Sequence, residues 1–363
     1  MKRKTVDIFF VFIFCITVFI TGISIVASQP RAFSQKENRP LALKPTLSLA
    51  SVTDGSFFES LGKYYKDQFP LRDTLTALRS ISELSLGKLE TGGVIPTFDG
   101  RLVALPSYNN IDRIEYDLEK MYSVCEKINA VLYIPPRSID IFSQSLPSIY
   151  DRDKVDLPLS LFRKETADMI SELTAREDSH SLYYATDHHW TTDGAYIAYT
   201  QICKQFKIIP YGKEYFNRQT VSQEFFGTSF SSSALPCSAL TPDSVVLYRY
   251  SGDDAVTVIN RETGVTEHGF YRYSALSEKD KYKVFLGGNY SHVSILSGQN
   301  KGRLLLIKDS FANSLVPFLA LHYDIEMLDP RYCEKELIQK YLQEDVFDAV
   351  LFLLSIDTLD TLE

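Results

Sequence analysis

Short, uncharged apolar runs recur along this chain and end abruptly in polar residues. Four such runs occupy residues 130–134, 182–185, 304–307 and 349–354. Runs this short and this uniformly apolar are typical of strands that are buried on both faces, and helical patterns follow two of them. Strands that alternate with helices predict βαβ units. We therefore expect an α/β fold with a mostly parallel sheet and helices on both faces.

The two helical patterns follow the second and third apolar runs. Over residues 196–206, large apolar side chains recur three and four positions apart, which predicts a helix that begins near a threonine cap at Thr191 or Thr192. A further helix is predicted over residues 311–321. Pro317 should limit or kink it, because proline lacks the N–H that a helix interior requires.

The N-terminal segment predicts contact with a membrane. Three basic residues at positions 2–4 precede residues 8–27, an uncharged stretch of 20 residues, which is about the length that crosses a hydrocarbon core. The basic flank predicts a cytoplasmic N-terminus and an extracytoplasmic location for the bulk of the chain. Secretion after cleavage of a signal peptide near residues 26–28 is the alternative. We expect residues 1–28 to form a single-pass signal anchor in the cell membrane.

Composition divides the rest of the chain. Residues 29–51 are rich in Pro, Ser and charged residues without an apolar period, which predicts a linker beside the membrane. Residues 52–363 are long enough for one large α/β domain, in which the polar residues 217–280 form an insertion or a system of loops. The net charge of −8 argues against nucleic-acid binding, which requires an excess of Lys and Arg.

Chemically reactive side chains follow the run at 182–185. Asp187, His188 and His189 come next and directly precede Trp190, the one tryptophan of the chain. Asp187 and His189 are two positions apart, so an extended segment can point both side chains the same way. The carboxylate would then fix the tautomer of the imidazole and raise its basicity. Trp190 is expected to pack beneath this loop rather than to stack on a sugar.

A serine follows the run at 304–307. Ser310 is predicted to lie where a strand ends and a helix begins, at the sheet edge where open α/β sheets bind ligands. Its hydroxyl can act as a nucleophile, and its own N–H can help to hold an oxyanion. Helix capping is the alternative role for Asp309 and Ser310, and a metal site or a plain surface position is the alternative for the histidines. Together, the two segments predict a nucleophile, a base and an orienting carboxylate.

Residues 187–190 (Asp-His-His-Trp), followed by Thr-Thr-Asp-Gly-Ala, resemble the motif of the bacterial DHHW proteins. That family is related to the SGNH-hydrolase-like domains of the alginate O-acetylation proteins. In those relatives, an Asp-x-His-Trp segment and a later Gly-Asp-Ser-Phe segment supply a Ser-His-Asp triad in permuted order. The resemblance implies an SGNH-hydrolase-like, flavodoxin-like three-layer fold with Ser310, His189 and Asp187 as catalytic residues. Lys308 stands where the relatives have glycine.

Other segments agree with this resemblance. Residues 65–73 and 97–102 are similar to an Asp-x-Phe-Pro-x-Arg segment of the relatives and to the turn that follows it. The relatives also bring a glycine and an asparagine to the oxyanion hole, for which Gly288 and Asn289 are the candidates here. Arg137 follows two prolines at another predicted strand end. It could bind an anionic substrate, although a solvated loop position is the alternative.

The resemblance implies a membrane-anchored, extracytoplasmic O-acetyltransferase or acetylesterase that acts on a cell-surface polysaccharide and requires no metal or other cofactor. Ser310 would carry the acetyl group, His189 would act as the general base, and Asp187 would hold the imidazole. A membrane-bound O-acyltransferase is the implied supplier of acetyl groups.

Two other functions remain open at this point. The first is a catalytically inactive glycan-binding or assembly protein of an exopolysaccharide-modification system, for which Lys308 is the main support. The second is a metal site that uses Asp187, His188, His189 and Asp193, although adjacent histidines seldom converge on one ion.

Overall fold

The structure is a computed structural model, and it describes residues 2–106, 111–151, 157–298 and 302–359. The helices of these residues are α1 (Lys2–Ala27), α2 (Leu49–Thr53), α3 (Ser56–Asp67), α4 (Arg72–Ser85), α5 (Ile111–Ile128), α6 (Ser138–Ile141), α7 (Lys164–Thr174), α8 (Thr192–Phe206), α9 (Thr228–Ser233), α10 (Val316–Leu319), α11 (Lys335–Gln343) and α12 (Ile356–Leu359). The strands are β1 (Phe33–Ser34), β2 (Arg39–Pro40), β3 (Val94–Pro96), β4 (Leu102–Ala104), β5 (Val131–Tyr133), β6 (Asn217–Phe225), β7 (Asp243–Arg249), β8 (Thr257–Asn260), β9 (Thr266–His268), β10 (His292–Leu296), β11 (Gly302–Lys308), β12 (Tyr323–Leu328) and β13 (Ala349–Leu353). The chain divides into two compact units, residues 1–92 with 234–236 and residues 93–233 with 237–363.

Helix α1 contains the predicted apolar stretch. Its residues Val6–Ile25 have a mean hydropathy of 2.7 and are long and apolar enough to cross a membrane. The hydroxyls of Thr17, Thr21 and Ser24 each donate to the carbonyl four residues earlier, at 2.8 to 2.9 Å. These three hydroxyls are therefore satisfied within the helix. A signal sequence near the N-terminus has the same properties, so the helix is compatible with an anchor and with a cleaved signal.

The segment similar to Asp-x-Phe-Pro-x-Arg organises the rest of the first unit. Asp67, the last residue of α3, accepts hydrogen bonds from the guanidinium of Arg39 at 2.6 and 3.1 Å and from the amide of Ala42 at 2.8 Å. Arg72, the first residue of α4, forms an ion pair with Glu37 at 2.5 Å. The Asp and the Arg of this segment thus connect the β1–β2 hairpin to α3 and α4.

The acid sensitivity of this unit is expected to depend on Asp67. The hydrogen bond from Arg39, which outweighs burial, lowers the pKa of Asp67 to about 2. A carboxyl whose pKa is depressed by folding stabilises the fold above its unfolded-state pKa, and this contribution is lost between about pH 4 and pH 2. Asp67→Asn should cost about 1 to 2 kcal/mol at neutral pH, because the half-exposed Arg39 is screened by solvent. Hydrogen exchange of the amides over residues 33–72 measures both effects, and unchanged acid sensitivity in the variant would contradict this role.

A seven-stranded sheet runs through the described part of the second unit, in the order β5-β13-β11-β12-β10-β8-β9. The pairings among β5, β13, β11 and β12 are parallel, whereas β10, β8 and β9 add antiparallel pairings. The prediction of a mostly parallel sheet is wrong for this second half. The reason is local, because β8 and β9 are joined by a short turn, and only antiparallel neighbours can be joined in this way.

Apolar side chains cover both faces of the sheet. Along β11, Leu304 and Leu306 face the core that includes α8 and α10, and Leu305 and Ile307 face the core that includes α5. All four side chains have no exposed surface. This double burial accounts for the uninterrupted apolar run and agrees with the predicted helices on both faces.

The apolar run at 182–185 is not a strand of the sheet, so this prediction is wrong. Tyr183 forms a single antiparallel bridge with Trp190, and the two tyrosines of the run are each 2% exposed. The amides of Ala185 and of the next residue donate to the carboxylate of Asp243 at 2.8 Å. The carbonyl of Ala185 accepts from the amide of Leu102 in β4 at 2.8 Å, and the amide of Tyr184 donates to the carbonyl of His189 at 3.2 Å. The run is apolar because it is buried, and loop contacts satisfy its backbone outside the main sheet.

The two predicted helices differ in outcome. Thr191 caps α8 as expected and accepts a hydrogen bond from the amide of Gly194 at 3.3 Å. The continuous helix predicted over 311–321 is instead a 3-10 turn at Ser310–Ser314 followed by the short α10. Pro317 lies in the first turn of α10. Proline is tolerated there but cannot continue a helix from the preceding turn, which explains the break.

Residues 217–280, expected to be an insertion or loops, contain regular elements. Strands β6 and β7 pair with each other, and β8 and β9 join the main sheet. Helix α9 lies between β6 and β7, and its first residue contributes to the site described next.

Candidate active site

The carboxyl ends of the four parallel strands meet at one cavity of about 230 Å³. Each strand contributes wall residues just beyond its end: Arg137 after β5, Ser310 after β11, Arg331 after β12 and Ser355 after β13. His188 completes the wall from the loop before α8. Ligands of open α/β sheets bind at this edge, as expected for this sequence.

Beside this cavity, the structure brings together three predicted residues, of which Ser310 lies 121 positions after His189. The Nε2 atom of His189 is 2.8 Å from Oγ of Ser310, and its Nδ1 atom is 2.5 Å from Oδ1 of Asp187. Asp187 and His189 are 1% and 5% exposed, and Ser310 is 9% exposed. The imidazole is therefore in hydrogen-bond contact with a hydroxyl on one side and a carboxylate on the other, which is the geometry that general-base activation of a serine requires.

Four donors surround the carboxylate of Asp187. Oδ1 accepts from the amide and Nδ1 of His189, at 2.9 and 2.5 Å. Oδ2 accepts from the amide and hydroxyl of Thr228, at 2.6 and 2.9 Å. Burial alone would raise the pKa of Asp187, but the charges of His189 and His188 and these hydrogen bonds hold it well below its usual range. An ionised Asp187 keeps the proton of His189 on Nδ1 and leaves Nε2 free to accept.

Gly227 lets the backbone approach this carboxylate closely. A Cβ atom at position 227 would lie 2.2 Å from Oδ2 and 2.3 Å from Cβ of Asp187. Sequence reasoning missed both Gly227 and Thr228, because they reach Asp187 from about 40 positions away and only a Phe-Gly-Thr-Ser segment in a polar region marks them.

Aromatic side chains hold the imidazole of His189 in place. The ring of Tyr282 stacks on it with centroids 4.2 Å apart and planes 9° apart, and Phe311 lies on another side at 5.0 Å. Trp190 is fully buried, as expected, and its Nε1 donates to the carbonyl of Phe311 at 3.0 Å and to Oγ of Ser314 at 2.9 Å. Trp190 thus links the histidine segment to the serine segment, and it is not available for stacking on a sugar.

Asp309 takes the capping role that the sequence left open between Asp309 and Ser310. Its Oδ1 accepts from the amide of Phe311 at 3.0 Å, and its Oδ2 accepts from the amide of Ser355 at 2.6 Å and the hydroxyl of Thr358 at 3.0 Å. Capping by Asp309 leaves the hydroxyl of Ser310 for His189.

Lys308, in place of the relatives' glycine, lies outside the cavity wall among the described residues. Its side chain has no exposed surface, and Nζ is 3.3 Å from the buried Asp329 and donates to Oδ1 of Asn289 at 3.1 Å and of Asn313 at 3.0 Å. Desolvation lowers the pKa of Lys308, although Asp329 opposes this shift. Lys308 therefore does not narrow the space beside Ser310.

Substitution of Lys308 is expected to reduce stability. Lys308→Met keeps most of the side-chain volume but removes the charge that faces Asp329 and the donor to two asparagines. Because Arg331 also pairs with Asp329, at 2.7 Å, we expect a loss of about 2 kcal/mol, which is less than a buried carboxylate left without a partner would cost. Chemical denaturation should show this loss in the free energy of unfolding. Lys204→Met, a control on the exposed face of α8, should leave it nearly unchanged; equal stabilities of the two variants would argue against the buried pair.

The residues predicted to bind the substrate or an oxyanion, Arg137, Gly288 and Asn289, lie in different surroundings. Arg137 is 7% exposed, lines the cavity, and pairs with Asp140 through Nε at 2.9 Å, so it is not a solvated loop residue. The carbonyl of Gly288 and Oδ1 of Asn289 accept from the side-chain Nδ2 of Asn313, at 3.4 and 3.0 Å, and neither residue belongs to the described cavity wall. Their assignment to an oxyanion hole, and that of Arg137 to substrate binding, stay predictions.

Asp187, His188 and His189 also satisfy the spacing of a metal site, since their ligand atoms lie within 4.8 Å of one another. Asp193 is not part of this group. It accepts a hydrogen bond from Tyr248 at 2.6 Å and pairs with Arg218 at 2.7 Å. The hydrogen bonds described above engage both nitrogens of His189 and both oxygens of Asp187.

Comparison with known proteins supports the resemblance. The model of a family described as DHHW protein matches residues 136–327. A DHHW family protein from Eubacterium siraeum is similar in structure, with a TM-score of 0.57 and 20% identity over 74% of this chain and 93% of that chain. PatB1 from Bacillus cereus has a TM-score of 0.58 and 23% identity over 74% of this chain and 98% of its own, and another structure of it carries a sulfonyl adduct. The O-acetyltransferase domain of Pseudomonas putida AlgJ aligns with a TM-score of 0.42 and 14% identity over 74% and 92% of the two chains. No curated protein sequence matches this chain.

Proposed function

This chain belongs to the DHHW protein family, and we propose that it is a serine-dependent O-acetyltransferase or acetylesterase of a cell-surface polysaccharide. The observation that carries the proposal is the double engagement of one imidazole, with Nε2 on Ser310 and Nδ1 on the ionised Asp187. The acetyl group and the glycan come from the family resemblance, whereas the nucleophile and its base come from the geometry of the site.

The first half-reaction would load Ser310. His189 takes the hydroxyl proton on Nε2 as Oγ attacks the carbonyl carbon of an acetyl ester, and the resulting imidazolium stays bonded to Asp187. It then gives this proton to the departing alcohol oxygen. The product of this half-reaction is an acetyl ester on Ser310.

The second half-reaction would remove the acetyl group from Ser310, again with His189 carrying the proton. A sugar hydroxyl or water gives its proton to Nε2 of His189 and attacks the acetyl carbon, after which Oγ of Ser310 leaves and takes the proton back. A sugar hydroxyl yields transfer and water yields hydrolysis, so the access of the two to the cavity would set their ratio.

The proposal also covers fold family and location. An SGNH-hydrolase-like fold of permuted motif order fits the parallel half of the sheet, with Ser310 after β11 and His189 before α8. We propose that α1 anchors the chain in the cell membrane and that the rest is extracytoplasmic, with a membrane-bound O-acyltransferase as the supplier of acetyl groups. The inactive glycan-binding alternative rested on Lys308, whose side chain turns away from the cavity.

Turnover of an activated acetyl ester by the full-length chain in detergent tests the proposal, with the polysaccharide of the native cell envelope as acceptor. We expect release of the alcohol and acetylation of the glycan, both lost in His189→Ala. Wild-type turnover no faster than that of His189→Ala would refute the proposal. Glycan binding without turnover would instead favour the non-catalytic alternative.

A further inference from the structure

His188 has no part in the triad, yet it lies in the cavity wall beside Ser310. We propose that His188 binds a second hydroxyl of the acyl acceptor, so that the acceptor presents two hydroxyls on neighbouring carbons, as a sugar ring does. This inference rests on the proposed function, because it concerns the acceptor of the second half-reaction.

Hydrogen bonding assigns the tautomer of His188. Nδ1 of His188 is 2.6 Å from Oγ1 of Thr228, and the same hydroxyl is 2.9 Å from Oδ2 of Asp187. A hydroxyl has one proton, and the ionised carboxylate can only accept, so Thr228 donates to Asp187. Thr228 must therefore accept from His188, which places the proton of a neutral His188 on Nδ1 and a lone pair on Nε2.

Nε2 is then the hydrogen-bond acceptor in both His188 and His189. Their rings pack against each other in a tilted arrangement, with centroids 3.8 Å apart and an angle of 36° between the planes. Both rings are fastened through Nδ1 to the carboxylate of Asp187, directly for His189 and through Thr228 for His188. Nε2 lies across each ring from Nδ1. In His189 this atom faces Ser310, and in His188 it forms no hydrogen bond to the described residues.

The surroundings of His188 favour its neutral, accepting form. Desolvation by neighbouring side chains, followed by the charge of His189, lowers the pKa of His188 to about 4, although 38% of its side chain reaches solvent. The ring therefore accepts a hydrogen bond at neutral pH. It also remains accessible to a ligand in the cavity.

The transfer step shows what a second hydroxyl contributes. The attacking hydroxyl gives its proton to Nε2 of His189 while its oxygen bonds to the acetyl carbon of the Ser310 ester. The ester bond to Oγ then breaks, and Oγ takes the proton from His189. A neighbouring hydroxyl keeps its own proton throughout and donates it to Nε2 of His188, which a monohydroxy alcohol cannot do.

A competition between two acceptors tests this inference. The full-length chain is supplied with 4-nitrophenyl acetate and either trans-1,2-cyclohexanediol or cyclohexanol, and acetyl transfer is measured relative to hydrolysis. This ratio does not depend on the amount of active protein. One added hydrogen bond predicts a wild-type preference for the diol about five- to tenfold above the statistical factor of about two.

Substitution of His188 should remove that preference. In His188→Asn, the amide nitrogen can replace Nδ1 as donor to Thr228, but nothing replaces the acceptor at Nε2. We expect the diol preference to fall to the statistical factor. The initial burst of nitrophenol reports acylation of Ser310, and because transfer is measured relative to hydrolysis, a changed rate of acylation does not alter the preference. His268→Asn, an exposed control on β9, should keep the wild-type preference.

The outcomes separate this inference from the proposed function. A nitrophenol burst in the wild type without preference for the diol would overturn the role of His188 and leave the proposed function intact. A diol preference that persists in His188→Asn would also overturn the role of His188 and leave the proposed function intact. Absence of the burst in the wild type, with no transfer to either acceptor, would overturn both.

Discussion

Ser310→Ala is expected to lower kcat/KM for an activated acetyl ester by about 10⁴-fold or more, because loss of the nucleophile removes the covalent route and not merely one contact. The fold should remain intact, since the capping bonds at this turn come from Asp309 and not from Ser310. Steady-state kinetics with the purified full-length chain measure the effect.

Ser314→Ala is the matched control for this loss. Ser314 lies in the same 3-10 turn and bonds Trp190 and Tyr282, but it does not contact His189 through a hydrogen bond. We expect Ser314→Ala to keep activity within about tenfold of wild type and to lose about 1 kcal/mol of stability. Comparable activities of the two alanine variants would exclude Ser310 as the nucleophile.

Asp187→Asn should have the second largest effect, about 10⁴-fold in kcat, with the serine and histidine still present. When the amide NH₂ faces His189, the proton of the imidazole moves to Nε2, which then cannot accept from Ser310. When the amide oxygen faces His189, the negative charge that stabilises the imidazolium is still lost. Either orientation of the amide also sets its NH₂ group against a backbone N–H, of His189 or of Thr228. A stability loss should therefore accompany the kinetic one.

Asp193→Asn distinguishes this account from a metal site. Asp193 lies six positions further along and pairs with Arg218 and Tyr248, away from His189. Its substitution should change kcat by less than about threefold. A large loss of kcat in Asp193→Asn, or restoration of Asp187→Asn by added zinc, would contradict the assigned role of Asp187.

Local pattern, together with the family resemblance, was sufficient to predict that Asp187, His189 and Ser310 lie together, because each of them is marked in the sequence. Asp187 and His189 stand two apart before a threonine cap, and Ser310 follows a run whose residues pack on both faces of the sheet. Residues that reach the site only through a contact between distant segments have no local sequence pattern that identifies them. Thr228 reaches Asp187 from 41 positions away, and Arg331 enters the cavity wall only because β12 ends there.

The two errors in the predicted fold arise because the apolarity of a segment reports how deeply it is buried and not whether it belongs to a sheet. The run at 182–185 is as apolar as a central strand, but its burial comes from packing between loops, and periodicity cannot distinguish the two. Conversely, β9 is an exposed, polar edge strand and β8 beside it is only four residues long, so this stretch resembles a loop and the antiparallel half of the sheet was missed.

Covalent labelling by a sulfonyl fluoride tests the central claim most directly, since the adduct accumulates without turnover. The sulfonyl fluoride reacts when Oγ attacks sulfur, fluoride leaves and His189 takes the proton. The account predicts one adduct per chain, mapped by mass spectrometry to Ser310, absent in Ser310→Ala and slowed at least about 100-fold in His189→Ala. An unlabelled wild-type chain, an adduct on another residue, or equal labelling rates in wild type and His189→Ala would contradict it.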